Sequence, residues 1–136
     1  MRNTWNKAVY KEIQVMDMEQ IIREKLVEIE NKEIVRIIMA VESGSRAWGF
    51  ASPDSDYDVR FVYVRNLEDY LKLEKTRDVI EWQLDDTLDI SDWDLKKALQ
   101  LMHESNPSIF EWCASSIVYR YSPAFEELRE IRKEYY

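Results

Sequence analysis

The chain has 136 residues, a mass of 16.4 kDa and a formal net charge of −8. This length fits one ordinary domain with its own hydrophobic core. Apolar residues make up 46% of the chain and charged residues 34%, with only two glycines and three prolines, which excludes collagen-like, low-complexity and disordered classes. The acidic excess disfavours phosphate binding over the whole surface, because nucleic-acid affinity depends mainly on Lys and Arg.

Cysteine content and hydropathy exclude further kinds of protein. Cys113 is the only cysteine, so an internal disulfide and a Cys-based zinc cluster are both excluded, and we expect a buried thiol. No stretch approaches the roughly 18 uncharged apolar residues that a membrane-spanning helix needs, and the N-terminal residues lack the apolar run of a signal peptide. We therefore expect a cytoplasmic protein with no membrane partner.

The first part of the chain predicts a helix, a strand, a loop and a second strand. Apolar residues recur at helical spacing over 17–32, behind Asp17 as the expected N-terminal cap. The nearly uninterrupted apolar run at 34–41 predicts a strand buried on both faces. Residues 43–55 hold both glycines and predict a loop, and the alternation over 56–64 predicts the second strand.

The middle of the chain is predicted to contain a short helix and a hairpin. Residues 67–73 fit a short helix or a turn. Strand-like patterns at 79–84 and 87–90 flank a polar pair of aspartates, which favours a hairpin turn between them.

Three helices are expected in the last third of the chain. Ser91 with Asp94 resembles a capping box that opens a helix running to about His103. Pro107 and Pro123 each follow a polar capping residue, and proline is favoured at the first position of a helix. We expect His103 to be a surface or packing residue.

The most informative motif runs from Gly44 to Asp58. Asp56 and Asp58 are two residues apart on the predicted second strand, so their side chains point to the same face. Two unit charges about 4 Å apart repel by roughly 4 kcal/mol at an effective dielectric near 20, and a divalent cation removes this cost. Oxygen ligands without His or Cys favour Mg²⁺, with Mn²⁺ as an alternative, over zinc.

A phosphate-binding loop forms the other half of this motif. Gly44 at the end of the first strand lets a phosphate approach the backbone, and N–H groups of the following turn can hold it. The Ser45 hydroxyl and the Arg46 guanidinium are additional donors. Arg46 has the alternative of pairing with Glu42 or Asp54.

A third carboxylate would complete a site for two metal ions about 3.5–4 Å apart, as in in-line phosphoryl displacement. Asp89 is our candidate, because it lies between Leu88 and Ile90 in a strand-like segment and is expected to face away from the core. The alternative is a solvated strand residue. The predicted metal ligands and catalytic residues are thus Asp56, Asp58 and Asp89.

Some residues near the motif have two interpretations. Glu42 is either a partner of the site carboxylates or a solvated glutamate at a strand end. Trp48 either stacks on a nucleobase or, as we favour, covers the core beneath the loop. Trp82, Trp93 and Trp112 are expected to be core residues.

The G-S and D-x-D motifs resemble the signature of polymerase-beta-type nucleotidyltransferases. The segments ESGSRAWGF, SDYDVRFVYV, DISDWDLKKAL and SNPSIFEW are most similar to the RNA repair pathway DNA polymerase beta family, and the likeness covers most of 34–121. The resemblance implies an α+β nucleotidyltransferase fold with a mixed central sheet and flanking helices.

We interpret residues 1–136 as a single nucleotidyltransferase domain. Its parts would be an N-terminal helix at 17–32, a catalytic sheet with the phosphate loop at 34–90, and a helical part at 91–136. By this resemblance the chain lacks the C-terminal helical portion of longer family members.

The resemblance also implies an activity, which is transfer of a nucleoside monophosphate from an NTP to a hydroxyl acceptor with release of pyrophosphate. Gly44 and Ser45 would lie at the nucleotide phosphates, and the three aspartates would bind two Mg²⁺ ions. The family description implies an RNA end as acceptor. The alternatives are a protein hydroxyl, as in antitoxin-type nucleotidyltransferases that adenylylate a partner, and a catalytically incomplete nucleotide-binding module.

Overall fold

The structure, a computed structural model, describes residues 4–49, 56–74, 80 and 88–135. It has both helices and strands, which confirms an α+β protein. The helices are α1 (Thr4–Glu33), α2 (Leu67–Leu71), α3 (Leu95–His103), α4 (Pro107–Ala114) and α5 (Pro123–Tyr135). The strands are β1 (Arg36–Glu42), β2 (Tyr57–Val64), β3 (Leu88–Asp94) and β4 (Val118–Arg120). Among the described helices, none is long and apolar enough to cross a lipid bilayer.

The described strands form one mixed sheet in the order β3-β2-β1-β4. β1 runs antiparallel to both of its neighbours, β2 and β4, whereas β2 and β3 are parallel. All residues of β1 after Arg36 are buried, as its apolar run predicted, because helices cover the sheet on both faces.

Two hydrophobic clusters fill the space on the two faces of the sheet. On one face, α1 contributes Ile22, Leu26 and Ile29, which pack with alternate residues of β2 such as Phe61. On the other face, α3, α4 and α5 pack on the sheet around Val62. Cys113 lies in this second cluster at 2% exposure, as expected, and burial raises the pKa of its thiol to about 11.

The first helix is longer than predicted. It begins at Thr4, so Asp17 lies inside α1 and is exposed; the prediction of Asp17 as an N-terminal cap is wrong. Several turns of α1 precede Asp17, so the local capping signal does not mark the start of the helix. After Glu33, Ile34 takes a φ of 54°, which turns the chain from α1 into β1.

The capping box at Ser91 is also a wrong prediction. β3 continues to Asp94, with Ser91 paired to Arg60 of β2, and the helix begins only at Leu95. Asp94 is the cap instead, since its carboxylate accepts the N–H of Lys96 at 2.8 Å. Strand pairing with β2 therefore decides the conformation of these residues over the local signal.

Of the remaining predictions of secondary structure, some are confirmed and others are not. Pro107 and Pro123 do begin α4 and α5, and residues 67–71 form the short helix α2. The part at 91–136 is not wholly helical, because it holds the end of β3 and all of β4. The predicted hairpin over 79–90 lies largely outside the described residues, but its last three residues belong to β3, which pairs parallel to β2.

Candidate active site

The predicted phosphate loop and carboxylates meet at one end of the sheet. β1 ends at Glu42, and the chain passes through Gly44 into a short 3-10 helix, Ser45–Trp48. The backbone N–H of Ser43 donates to the carbonyl of Asp58 at 2.9 Å, which extends the pairing of β1 with β2 into the loop. The loop is thus fixed beside the start of β2.

Gly44 touches the carboxylate of Asp58. A Cβ atom added to Gly44 would lie 2.2 Å from Asp58 Oδ2, far inside van der Waals contact. The φ of Gly44 is −83°, which any residue can adopt, so glycine is required here by space and not by backbone conformation. The two halves of the motif are therefore in direct contact.

The two strands that carry aspartates place them side by side. Asp58 of β2 pairs in register with Asp89 of β3, and neighbouring strands are about 4.8 Å apart. Leu88 and Ile90 are buried and Asp89 is exposed between them, as predicted. Asp56 comes immediately before β2 and is also exposed.

Asp89 has a cationic partner that the sequence analysis missed. Arg60 Nη2 lies 3.0 Å from Asp89 Oδ2. Arg60 is two residues after Asp58, so it shares the same face of β2, and this spacing is the signal that could have revealed it. The ion pair partly neutralises the carboxylates at this end of the sheet.

The candidate ligands have the chemistry of a magnesium site, but the described side chains are not close enough together to form one. All candidate ligands are carboxylates, which Mg²⁺ prefers. Within the described residues, however, no three His, Cys, Asp or Glu side chains come close enough together to hold an ion. The Asp89 carboxylate is paired with Arg60 instead.

In the short 3-10 helix of the loop, Arg46 is half-buried and Trp48 is exposed. The guanidinium carbon of Arg46 is 3.9 Å from the centre of the Tyr57 ring, which fixes Arg46 beside the start of β2. Arg46 does not pair with Glu42, and Asp54 lies outside the described residues. Trp48 is 48% exposed, so our expectation that it covers the core is wrong.

Glu42 is the residue at this end whose surroundings differ most from expectation. It is fully buried, so the interpretation as a solvated glutamate is wrong. Its Oε2 accepts the backbone N–H groups of Asp58, at 2.9 Å, and of Gly44, at 3.1 Å. Its Oε1 accepts the hydroxyl of Tyr119 at 2.9 Å. Burial raises the pKa of Glu42, and the two N–H donors act in the opposite direction.

A cleft of about 420 Å³ lies beside Arg60. It is lined by Arg60, Ser91, Asp92, Trp93, Ser108 and Trp112. Trp93 of β3 stacks on Trp112 of α4, with ring centres 4.0 Å apart. Arg60 both lines this cleft and pairs with Asp89, which is not itself among the lining residues.

Comparison with known proteins agrees with the motifs. The family model of the RNA repair pathway DNA polymerase beta family matches residues 18–136. The chain belongs to this family. It is a nucleotidyltransferase-type family, which confirms the resemblance seen in the G-S and D-x-D motifs.

One curated relative is a protein of Bacillus subtilis (strain 168) named "Uncharacterized protein YcgL". It is 52% identical over 118 residues, which cover 86% of this chain and 45% of the relative. The chain therefore spans less than half the length of that relative. No solved structure matches the chain.

Proposed function

We propose that this chain is a Mg²⁺-dependent nucleotidyltransferase domain that transfers a nucleoside monophosphate from an NTP to a hydroxyl acceptor. One observation carries the proposal. The backbone of Gly44 is in contact with the carboxylate of Asp58, and Asp58 is in register with Asp89. A loop suited to phosphates and two carboxylates suited to Mg²⁺ thus lie at one point of the sheet, in a family of nucleotidyltransferase type.

In this proposal the loop and the aspartates have separate roles. Gly44, Ser45 and Arg46 hold the triphosphate, and Asp56, Asp58 and Asp89 are the metal ligands. When bound, Mg²⁺ supplies neutralisation of charge at the phosphates and at the leaving oxygen. Asp89 accepts the proton of the acceptor hydroxyl, the new O–P bond forms at the α-phosphate, and the bond to pyrophosphate breaks.

The cleft beside Arg60 is the proposed entry for the acceptor. An acceptor hydroxyl must reach Asp89, and this cleft is lined by Arg60, the ion-pair partner of that side chain. For Asp89 to act, its ion pair with Arg60 must open, which leaves the guanidinium close to the incoming phosphates. The family description favours an RNA end as the acceptor.

A second candidate is a nucleotide-binding module without transferase activity. It is favoured by the finding that no three metal-ligating side chains among the described residues converge. It is also favoured by the ion pair that Asp89 forms with Arg60. Binding and turnover must therefore be measured separately.

The test uses the chain with each of four α-labelled NTPs, Mg²⁺ or Mn²⁺, and a panel of RNA ends, tRNA and proteins with free hydroxyls. We expect transfer of label and a loss of at least about 100-fold in Asp58→Asn, because that substitution removes a carboxylate charge from the reacting site. The matched control is Asp69→Asn on α2, where the carboxylate pairs with Lys72 at 3.2 Å.

Each outcome selects a function. Full transfer by Asp58→Asn would contradict the assignment of the site. Binding of Mn²⁺ and NTP by the unmodified chain without transfer to any acceptor would establish the binding module instead. Label on protein in place of RNA would identify the chain as a protein nucleotidyltransferase.

A further inference from the structure

We propose that Glu42 is a positioning residue, which holds the loop at Gly44 and the strand at Asp58 in the spacing that the reaction needs. This inference rests on the proposed function. It names a residue outside the G-S and D-x-D motifs, and it assigns that residue a role exerted through backbone N–H groups.

The geometry of one carboxylate oxygen carries the argument. Oε2 of Glu42 accepts two backbone N–H groups, one from Gly44 and one from Asp58. These residues belong to different halves of the motif, 14 positions apart in the chain. A single buried atom therefore sets the distance between the phosphate loop and the start of β2. A Cβ added to Gly44 would lie only 2.2 Å from Asp58 Oδ2, which shows how closely the loop and the strand are held together.

Glu42 acts from the opposite side of the sheet to the carboxylate of Asp58. Its Oε1 accepts the hydroxyl of Tyr119, which belongs to the hydrophobic cluster covered by α1. Tyr57 and Val59 face the same cluster, so Asp58 between them faces the other side. Both oxygens of Glu42 are thus engaged beneath the site, which distinguishes this residue from a metal ligand.

A purely structural role would not call for a glutamate. The five residues of β1 before it are apolar and buried, and an apolar residue would extend that strand without the cost of burying a charge. Within the part of the chain that the structure describes, no Lys or Arg forms an ion pair with Glu42. Among the described residues, the buried carboxyl group is held by three hydrogen bonds, two of which come from the backbone of site residues.

The experiment compares Glu42→Ala, Glu42→Gln and Glu30→Ala. A glutamine keeps one oxygen for the two N–H groups, and its amide can donate to the oxygen of Tyr119, so we expect it to retain function to within about 10-fold. Alanine removes the acceptor, and we expect Mn²⁺ affinity and turnover to fall about 10- to 100-fold. Glu30 is the matched control, because its carboxylate accepts the N–H of Ile37 at the other end of β1. We expect Glu30→Ala to lose stability only.

The first readout is independent of any activity. In NMR spectra of the free chain, the amide protons of Gly44 and Asp58 should be shifted downfield and protected from exchange in the unmodified protein and in Glu42→Gln. Both signals should move and lose protection in Glu42→Ala. The second readout is Mn²⁺ affinity by electron paramagnetic resonance, and the third is the effect on kcat and KM for the NTP.

The outcomes separate this proposal from the function on which it rests. Amide signals that do not change in Glu42→Ala would overturn it, as would changed signals with Mn²⁺ affinity and turnover intact. An unmodified chain that binds neither Mn²⁺ nor nucleotide would overturn the proposed function, and the role of Glu42 with it, even where the amide signals confirm the two bonds.

A second variant keeps the test decisive if Glu42→Ala does not fold. Tyr119→Phe removes the donor to Oε1 and leaves the aromatic ring in the core. The carboxylate then loses one of its three partners, and we expect a fall of about 3- to 10-fold in turnover with smaller changes at the two amides. An unchanged turnover together with displaced amide signals would count against the proposal.

Discussion

The two ends of β1 are both held by a glutamate, but the two carboxylates are balanced differently. At the start of the strand, Glu30 accepts the N–H of Ile37 at 2.9 Å, and its other oxygen lies 2.8 Å from the guanidinium of Arg120. At the end of the strand, Glu42 also accepts backbone N–H groups, but its other oxygen accepts the neutral hydroxyl of Tyr119. Among the described residues, a cation pairs with the glutamate at the first end and none pairs with the glutamate at the second.

The two glutamates therefore differ in the charge of the side chain that each one contacts. At the start of the strand, the guanidinium of Arg120 neutralises the carboxylate of Glu30. At the opposite end, burial raises the pKa of Glu42, and the nearby carboxylate of Asp58 contributes to that rise. At the end that carries the predicted phosphate loop, the described residues give Glu42 no cationic partner, whereas Asp89 pairs with Arg60.

The largest effect of a small change is expected at the loop. Gly44→Ala would place its Cβ against the Asp58 carboxylate, so either the loop or the strand must move. A displacement of about 1 Å at a reacting group can cost about 100-fold in rate, and we expect a loss of turnover of that order in NMP transfer assays.

Gly49→Ala is the control for this substitution. Gly49 has a φ of +77°, but no atom of the described residues lies within 4 Å of an added Cβ. Alanine there should cost about 1–2 kcal/mol of unfolding free energy because of the left-handed backbone, with turnover unchanged. Equal turnover in the two variants would show that contact between the loop and Asp58 has no part in the site.

An intermediate effect, on stability alone, is expected at the other end of β1. Arg120→Met removes the cation and leaves the partly buried Glu30 carboxylate without its charged partner. We expect a loss of about 1–3 kcal/mol in unfolding free energy, measured by urea denaturation. Turnover per folded molecule should stay the same. A loss of turnover without a loss of stability would break the distinction between the two ends.

The smallest effect is expected from Arg60, the one cation seen to pair with a site aspartate among the described residues. Arg60→Met removes the ion pair with Asp89, so the carboxylates should attract Mn²⁺ more strongly. The gain should be about 5-fold, because Asp89 is exposed and solvent screens the pair. Titrations at two salt concentrations should show a smaller gain at the higher one. No gain would remove Asp89 from the cation site.

Local patterns in the sequence were sufficient to predict much of the fold. The apolar run of β1, the alternation in β2 and the prolines that open α4 and α5 each act over a few residues, and all were confirmed. Asp17 and Ser91 were assigned as caps from equally local signals and were wrong. In those two places a longer helix and the pairing of β3 with β2 determined the conformation.

The candidate site divides in the same way. The exposure of Asp89 between Leu88 and Ile90 follows from the two-residue period of strands, and so could be predicted. The burial of Glu42 could not, because its partners Asp58 and Tyr119 are 16 and 77 positions away in the chain. A glutamate that ends an apolar strand directly before a glycine loop was the only hint.

The in-register pairing of Asp58 with Asp89 also limits how this chain can vary in length. A shift of β3 by one residue would set Leu88 or Ile90 opposite Asp58 and turn Asp89 into the apolar layer under α1. Insertions and deletions within these two strands would thus disrupt both the candidate site and folding. We expect changes of length to accumulate in the loops between the strands and helices. The spacing of the acidic residues is fixed by the same packing that fixes the core.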